Sequence, residues 1–140
     1  ILDVVFDEGA LQAKTLYDTT LMVVDLRNPI PEFSLEKEEL YDRIFSTGGF
    51  NDINFKEDLD FSKRILLRGT ITKSVRKLFN KEMREYITQN QVYHIESTSD
   101  QLLIFSEMKP LNAEEVKALN SFVHGLTKFL GQEANPSDQP

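Results

Sequence analysis

The sequence predicts an α+β domain of two layers, a mostly antiparallel sheet with two main helices packed on one face. Three observations in its second half carry that expectation. Phe61 to Gly69 is an apolar run ending on a turn glycine, and Thr72 to Asn90 has the spacing of an amphipathic helix. Val92 to Glu96 and Gln101 to Glu107 alternate as a hairpin does, and Asn112 to Leu130 carries complete helix start and stop signals.

The elements follow in order along the chain. Leu2 to Phe6 is a short apolar run closed by Asp7-Glu8-Gly9, a turn signal. Thr15 to Arg27 contains Thr19-Thr-Leu-Met-Val-Val-Asp-Leu26, β-branched enough for a central strand. Asn28-Pro-Ile-Pro31 stops it, because proline donates no ladder hydrogen bond and restricts the residue before it. Phe33 to Leu35 is a short extended piece, and Glu36 to Phe45 places Leu40, Tyr41, Ile44 and Phe45 at helical spacing before Thr47-Gly-Gly49. Asn51 to Asp60 is an acidic connector.

In the first long helix Thr72 is the expected N-cap and Asn90 the left-handed terminator. Val75, Leu78, Phe79, Met83 and Tyr86 share its apolar face, toward which Glu82 also projects. The last helix opens on Asn112 and Glu115, a capping box, with Leu111 and Val116 as a hydrophobic staple. Val116, Leu119, Phe122, Val123, Leu126, Phe129 and Leu130 form its stripe, and Gly131 supplies the C′ position. A sheet of four or five strands accommodates these pieces. The strands before and after the first helix are joined through it, which permits a parallel right-handed crossover.

The chain's 140 residues amount to one domain, 1–131, with 132–140 as a flexible polar tail. Its first residue is Ile1 rather than methionine, as in a mature or excised piece of a longer protein. There is no cysteine, which removes disulfides, thiolate metal sites and cysteine nucleophiles and suits the cytosol. No run approaches the ~18 apolar residues of a membrane span.

Charge is distributed unevenly around a net of −7. Residues 1–62 carry 5 basic and 14 acidic side chains, whereas residues 63–84 carry 8 basic and 1 acidic. The acidic total disfavours nucleic acid as a partner. Lys73, Lys77, Lys81 and Arg84 make a narrow stripe opposite the apolar face, backed by Lys63, Arg64 and Arg68. As a binding face the stripe suits an acidic protein partner or an anionic lipid surface. The plainer reading is a solvated helix face neutralised by the acidic N-terminal segment.

No motif marks a catalytic centre. The histidines are His94 and His124. His94 alternates with Tyr93 and Ile95, so it shares a strand face with Glu96, and the pair is an acid–base or metal fragment only if further ligands join it. His124 flanks the last helix's stripe. Asp52-x-Asn54-x-Lys56-x-Asp58-x-Asp60 has the alternation of a calcium loop but lacks its glycine and its closing glutamate. Asp52, Asp58 and Asp60 are the remaining carboxylates for a hydrolase-like site. Thr47-Gly48-Gly49 is too short for a phosphate loop and lacks a following lysine. No cofactor or metal is implied.

The order of several segments resembles a family of uncharacterised bacterial proteins. These are Pro31-Glu-Phe33-Ser-Leu35, Asp52-Ile-Asn-Phe55, Phe61-Ser62 with Leu66-Leu-Arg-Gly69, and Val75-Arg-Lys-Leu-Phe79. Ile95-Glu96 and Leu102-Leu-Ile104 before the final helix continue the pattern, which covers roughly residues 15 to 131. This chain has Glu36-Lys37 where the family has proline–glutamate. Members carry hydrophobic, membrane-spanning segments followed by a soluble domain. The resemblance implies a domain beside a membrane, expected on the cytoplasmic side, and implies no known activity. The leading expectation is therefore contact rather than catalysis. A carboxylate-based or metal-assisted enzyme is the second reading, and a homo-oligomeric scaffold using strand edges or Phe50 and Phe55 is the third.

Overall fold

A computed structural model of the chain describes residues 2–7, 16–37, 51–106 and 109–131. Its strands are β1 (Leu2–Asp7), β2 (Leu16–Asp25), β3 (Phe33–Lys37), β4 (Asn51–Asp52), β5 (Ile65–Gly69), β6 (His94–Ser97) and β7 (Gln101–Phe105). The helices are α1 (Leu59–Arg64), α2 (Thr72–Leu78), α3 (Lys81–Gln89) and α4 (Ala113–Phe129). The sheet order is β1-β2-β7-β6-β3-β5-β4, with every neighbouring pair antiparallel. A five-stranded centre, β2-β7-β6-β3-β5, thus carries β1 and the two-residue β4 at its edges. The α+β architecture is as the sequence predicts.

Period-two alternation assigns the two faces of the sheet. Met22, Ile104, Ile95, Leu35 and Leu67 lie side by side across five strands, and all are buried. They join Phe61, Val75, Phe79, Met83, Ile87, Leu119, Phe122 and Leu126 of the helices in one core. Edge-to-face rings weld the layers: Phe33 meets Phe79 at 4.9 Å between centroids, and Phe55 meets Phe61 at 5.5 Å. The opposite face presents Val23, Leu103, Glu96, Ser34 and Arg68.

β5 and β6 both run antiparallel to β3, so they are parallel to each other, and β3 lies between them. The expected crossover through a helix therefore exists, but it spans an inserted strand. Phe33 to Leu35 is the start of that central strand rather than an isolated extended piece. Ser97 fixes its entry, its Oγ accepting from the Phe33 N–H at 2.8 Å and donating to the Pro31 carbonyl at 2.9 Å.

Several boundaries differ from expectation, each for a local reason. Asp58 caps a short helix by accepting from the Phe61 N–H at 3.1 Å, so the strand expected from Phe61 begins only at Ile65. The long helix expected over Thr72–Asn90 is broken at Phe79. Asn80 restarts it as α3, its side chain accepting from the Met83 N–H at 2.9 Å. Thr72 is the first helical residue and Ile71 the N-cap, with no side-chain cap bond. Asn90 has φ −109°, so it terminates α3 in extended rather than left-handed backbone. Glu82 is an exposed first-turn residue of α3 rather than a flank of the apolar face.

The second capping expectation holds. Asn112 and Glu115 make a reciprocal capping box, and Gly131 takes φ +69° just past α4. Glu36 and Lys37 end β3, while the remainder of the helix expected to Phe45 lies outside the described residues. So do Thr47–Phe50 and the tail 132–140.

Candidate functional site

The basic stretch 63–84 resolves into compensated and uncompensated charges. Arg84 is buried at 7% exposure and belongs to the core's polar edge, not to a solvated stripe. Its Nε donates to Asp58 Oδ2 at 2.9 Å and its Nη1 to the Phe79 carbonyl at 2.8 Å. The guanidinium carbon stands 4.3 Å from the Phe55 ring centroid. Partial burial pushes the Asp58 carboxyl up, but the hydrogen bonds from Arg84 and Phe61 and the Arg84 charge outweigh it and hold the group below its ordinary value. Arg84 therefore spans the helix break, tying the last carbonyl region of α2 to the cap of α1. This corrects its assignment to an anion-binding face, and the cause is the break at Phe79–Asn80.

The other arginines are also engaged. Arg68 pairs with Asp52 at 3.3 Å and Arg64 with Asp60 at 3.3 Å. Arg76 Nη1 donates to the Asn54 carbonyl at 2.7 Å and lies over Phe55. Lys81 approaches Glu85 at 3.8 Å. What remains is Lys63, Lys73 and Lys77, exposed and without an ion pair among the described residues. Lys73 and Lys77 are four apart, on the side of α2 opposite buried Val75. Ile71, at 62% exposure, begins the same helix.

The carboxylates of the enzyme reading do not converge. Asp52, Asp58 and Asp60 each face a different arginine, so none is a free acid or base beside another. Phe55, offered by the scaffold reading as an exposed aromatic, is buried at 1% under two arginines. His124 is exposed on α4.

His94 has a second partner that sequence reasoning missed. Its Nε2 meets Glu96 Oε1 at 2.7 Å and its Nδ1 meets Glu36 Oε2 at 3.4 Å, on the open face of the sheet. Phe105 stacks on the imidazole at 4.4 Å. Burial opposes the charge on His94, yet the two carboxylate hydrogen bonds and their fields raise its pKa to about 9. The Glu96 carboxyl is correspondingly lowered, chiefly by its bond to His94. With both ring nitrogens engaged by carboxylates, the cluster is a charge bridge between β3 and β6. Among the described residues no group of three or more His, Asp or Glu side chains is placed to hold a metal ion.

A cleft of about 340 Å³ opens elsewhere, between Lys37, Gln91, Tyr93, Ser106 and the start of α4. Lys109 and Glu115 pair at its rim, and Gln91 donates to Ser106 Oγ at 2.7 Å. None of the candidate binding or catalytic residues read from the sequence lines it.

No protein-family model matches the chain, and no curated protein sequence matches it. Among solved structures it is similar to the crystal structure of the mycobacterial trehalose monomycolate transport factor A, TtfA. The TM-score is 0.55 at 8% identity, over 94% of this chain and 75% of that one. At that identity the likeness is one of fold. Among the described residues no helix is long and apolar enough to cross a membrane.

Proposed function

We propose that the chain is a contact module of a bacterial membrane-associated protein, working by binding an anionic surface rather than by catalysis. The observation that carries this reading is the selective charge compensation of residues 63–84. Arg64, Arg68 and Arg84 face Asp60, Asp52 and Asp58, while Lys73 and Lys77 stay exposed on one helix face with no ion pair among the described residues. In a chain of net charge −7, an uncompensated basic face is a local attractor for anions. Its binding ligand is of the acidic-protein or anionic-lipid class, and Lys81 and Arg84 contribute less than their sequence positions imply.

The fold likeness to a transport factor supports a role in assisting a membrane process, as does the resemblance to domains that follow hydrophobic segments. The scattering of the candidate carboxylates counts against the hydrolase-like alternative. Fractionation of cells making the full parent polypeptide tests the reading. The polypeptide is expected to stay with the membranes through alkaline carbonate extraction. Quantitative recovery in the soluble fraction before any extraction would contradict membrane association.

A further inference from the structure

We propose that α2 is a lipid contact, in which Ile71 at its N-cap enters the interfacial layer of an anionic bilayer and the ammonium groups of Lys73 and Lys77 on the same helix meet lipid phosphates. This deepens the contact reading above and rests on it, choosing lipid over an acidic protein as the occupant.

Ile71 is the reason for that choice. A single exposed apolar side chain is ordinary on a protein surface. Ile71 is unusual in two independent respects. Among the described residues it is, at 62%, one of the two most exposed large hydrophobic residues, with Leu59 at 61%. It also occupies a helix N-cap, where Ser, Thr, Asn or Asp would accept a backbone hydrogen bond and Ile makes none. The position thus forgoes a local stabilising bond to display a branched apolar side chain in water. Thr70 and Thr72 beside it show that hydroxyl residues flank the site.

The charges on the same helix fit the same occupant. Lys73 and Lys77 follow on α2 with no acidic residue in its first turn, and neither makes an ion pair among the described residues. Apolar insertion combined with adjacent cations is the pattern of interfacial binding to anionic membranes. Other exposed hydrophobic residues lack that combination. Leu59, at 61%, precedes Lys63 by one turn but is flanked in sequence by the carboxylates Asp58 and Asp60, Val23 lies on the far face of the sheet, and Phe129 packs 5.1 Å from Tyr86.

The chain contains no tryptophan, so one introduced indole reports its own surroundings. In Ile71→Trp protein, emission should shift to the blue and be quenched by brominated lipid with phosphatidylglycerol–phosphatidylcholine vesicles. Pure phosphatidylcholine should give no shift. Moderate salt should reverse the effect, and adding K73E and K77E should weaken it by roughly tenfold or more. Val23→Trp protein should show no change. In protein without a reporter, Ile71→Ser should reduce vesicle flotation.

A null result at position 71 while the unmodified chain still floats with anionic vesicles would overturn this inference, and the broader contact reading would stand on another surface. A shift at position 23 would overturn it equally. Failure of the unmodified chain to float, with binding retained to an acidic protein, would exclude lipid as the occupant. Recovery of the parent polypeptide away from membranes is the separate result that would remove the broader reading.

Discussion

Two side chains concentrate the electrostatics of this molecule. Arg84 satisfies one carboxylate, one carbonyl and the face of Phe55 from an almost dry position. Arg84→Ala strands the Phe79 carbonyl and leaves Asp58 without its counter-ion. It should destabilise the chain by about 2–3 kcal/mol in urea unfolding, less than a fully buried pair because Asp58 retains contact with water. A loss under ~0.5 kcal/mol, the range of ordinary surface substitutions, would show the network to be dispensable. His94 makes the complementary case. Its folded pKa of about 9 exceeds the unfolded value near 6.5, so its stabilisation is complete below the unfolded value. That stabilisation declines as pH rises from about 6.5 to about 9, by at most roughly 3 kcal/mol. Urea midpoints measured across this window should fall for the natural chain and stay flat for His94→Gln. Parallel curves would contradict the bridge. Sequence alone placed His94 and Glu96 on one face. It did not supply Glu36, which the spacing assigned to a helix and which the structure makes the penultimate residue of β3.

At the scale of elements, the break between α2 and α3 explains most departures from expectation. Val75, Phe79, Met83 and Ile87 are all buried at a spacing of four, so the apolar rhythm passes through the break unchanged. Periodicity therefore cannot reveal it. The legible signal was Asn80, a capping residue after an apolar one, and it competed with a stronger pattern. α1 leaves no periodic signal, because six residues are too few for a period to register. In α4 every signal agreed, namely capping box, stripe and terminal glycine, and the helix lies where they place it.

The packing of α3 on α4 turns on Gly125. Glycine inside a helix ordinarily costs about 1 kcal/mol relative to alanine, so Gly125→Ala would be stabilising on propensity alone. Here an added Cβ falls against Tyr86, 2.7 Å from Cζ, and Tyr86 is held by its hydroxyl donating to the Phe122 carbonyl at 2.7 Å. Gly125→Ala should therefore lower stability by about 1–3 kcal/mol, the usual scale for overpacking. A rise in melting temperature would show that Tyr86 swings away freely.

Across the whole molecule, the fold class was legible because hairpin, helix and glycine signals are local. Strand order was not. The insertion of β3 between β5 and β6 depends on long-range pairing that no local pattern encodes. The candidate site was legible only as a concentration of positive charge. Separating Arg84 from Lys73 and Lys77 required knowing which acids fold beside which cations. What emerges is an acidic molecule in which α2 presents two exposed lysines and begins at an exposed isoleucine, and we propose that it meets a membrane through that helix. The most direct test is flotation of the chain with phosphatidylglycerol-containing and pure phosphatidylcholine vesicles over a salt series, beside the K73E/K77E variant. Binding to the anionic vesicles at low salt, lost steeply as salt rises and absent in the variant, is the predicted result. Equal flotation of both proteins, or of neither, would contradict the account.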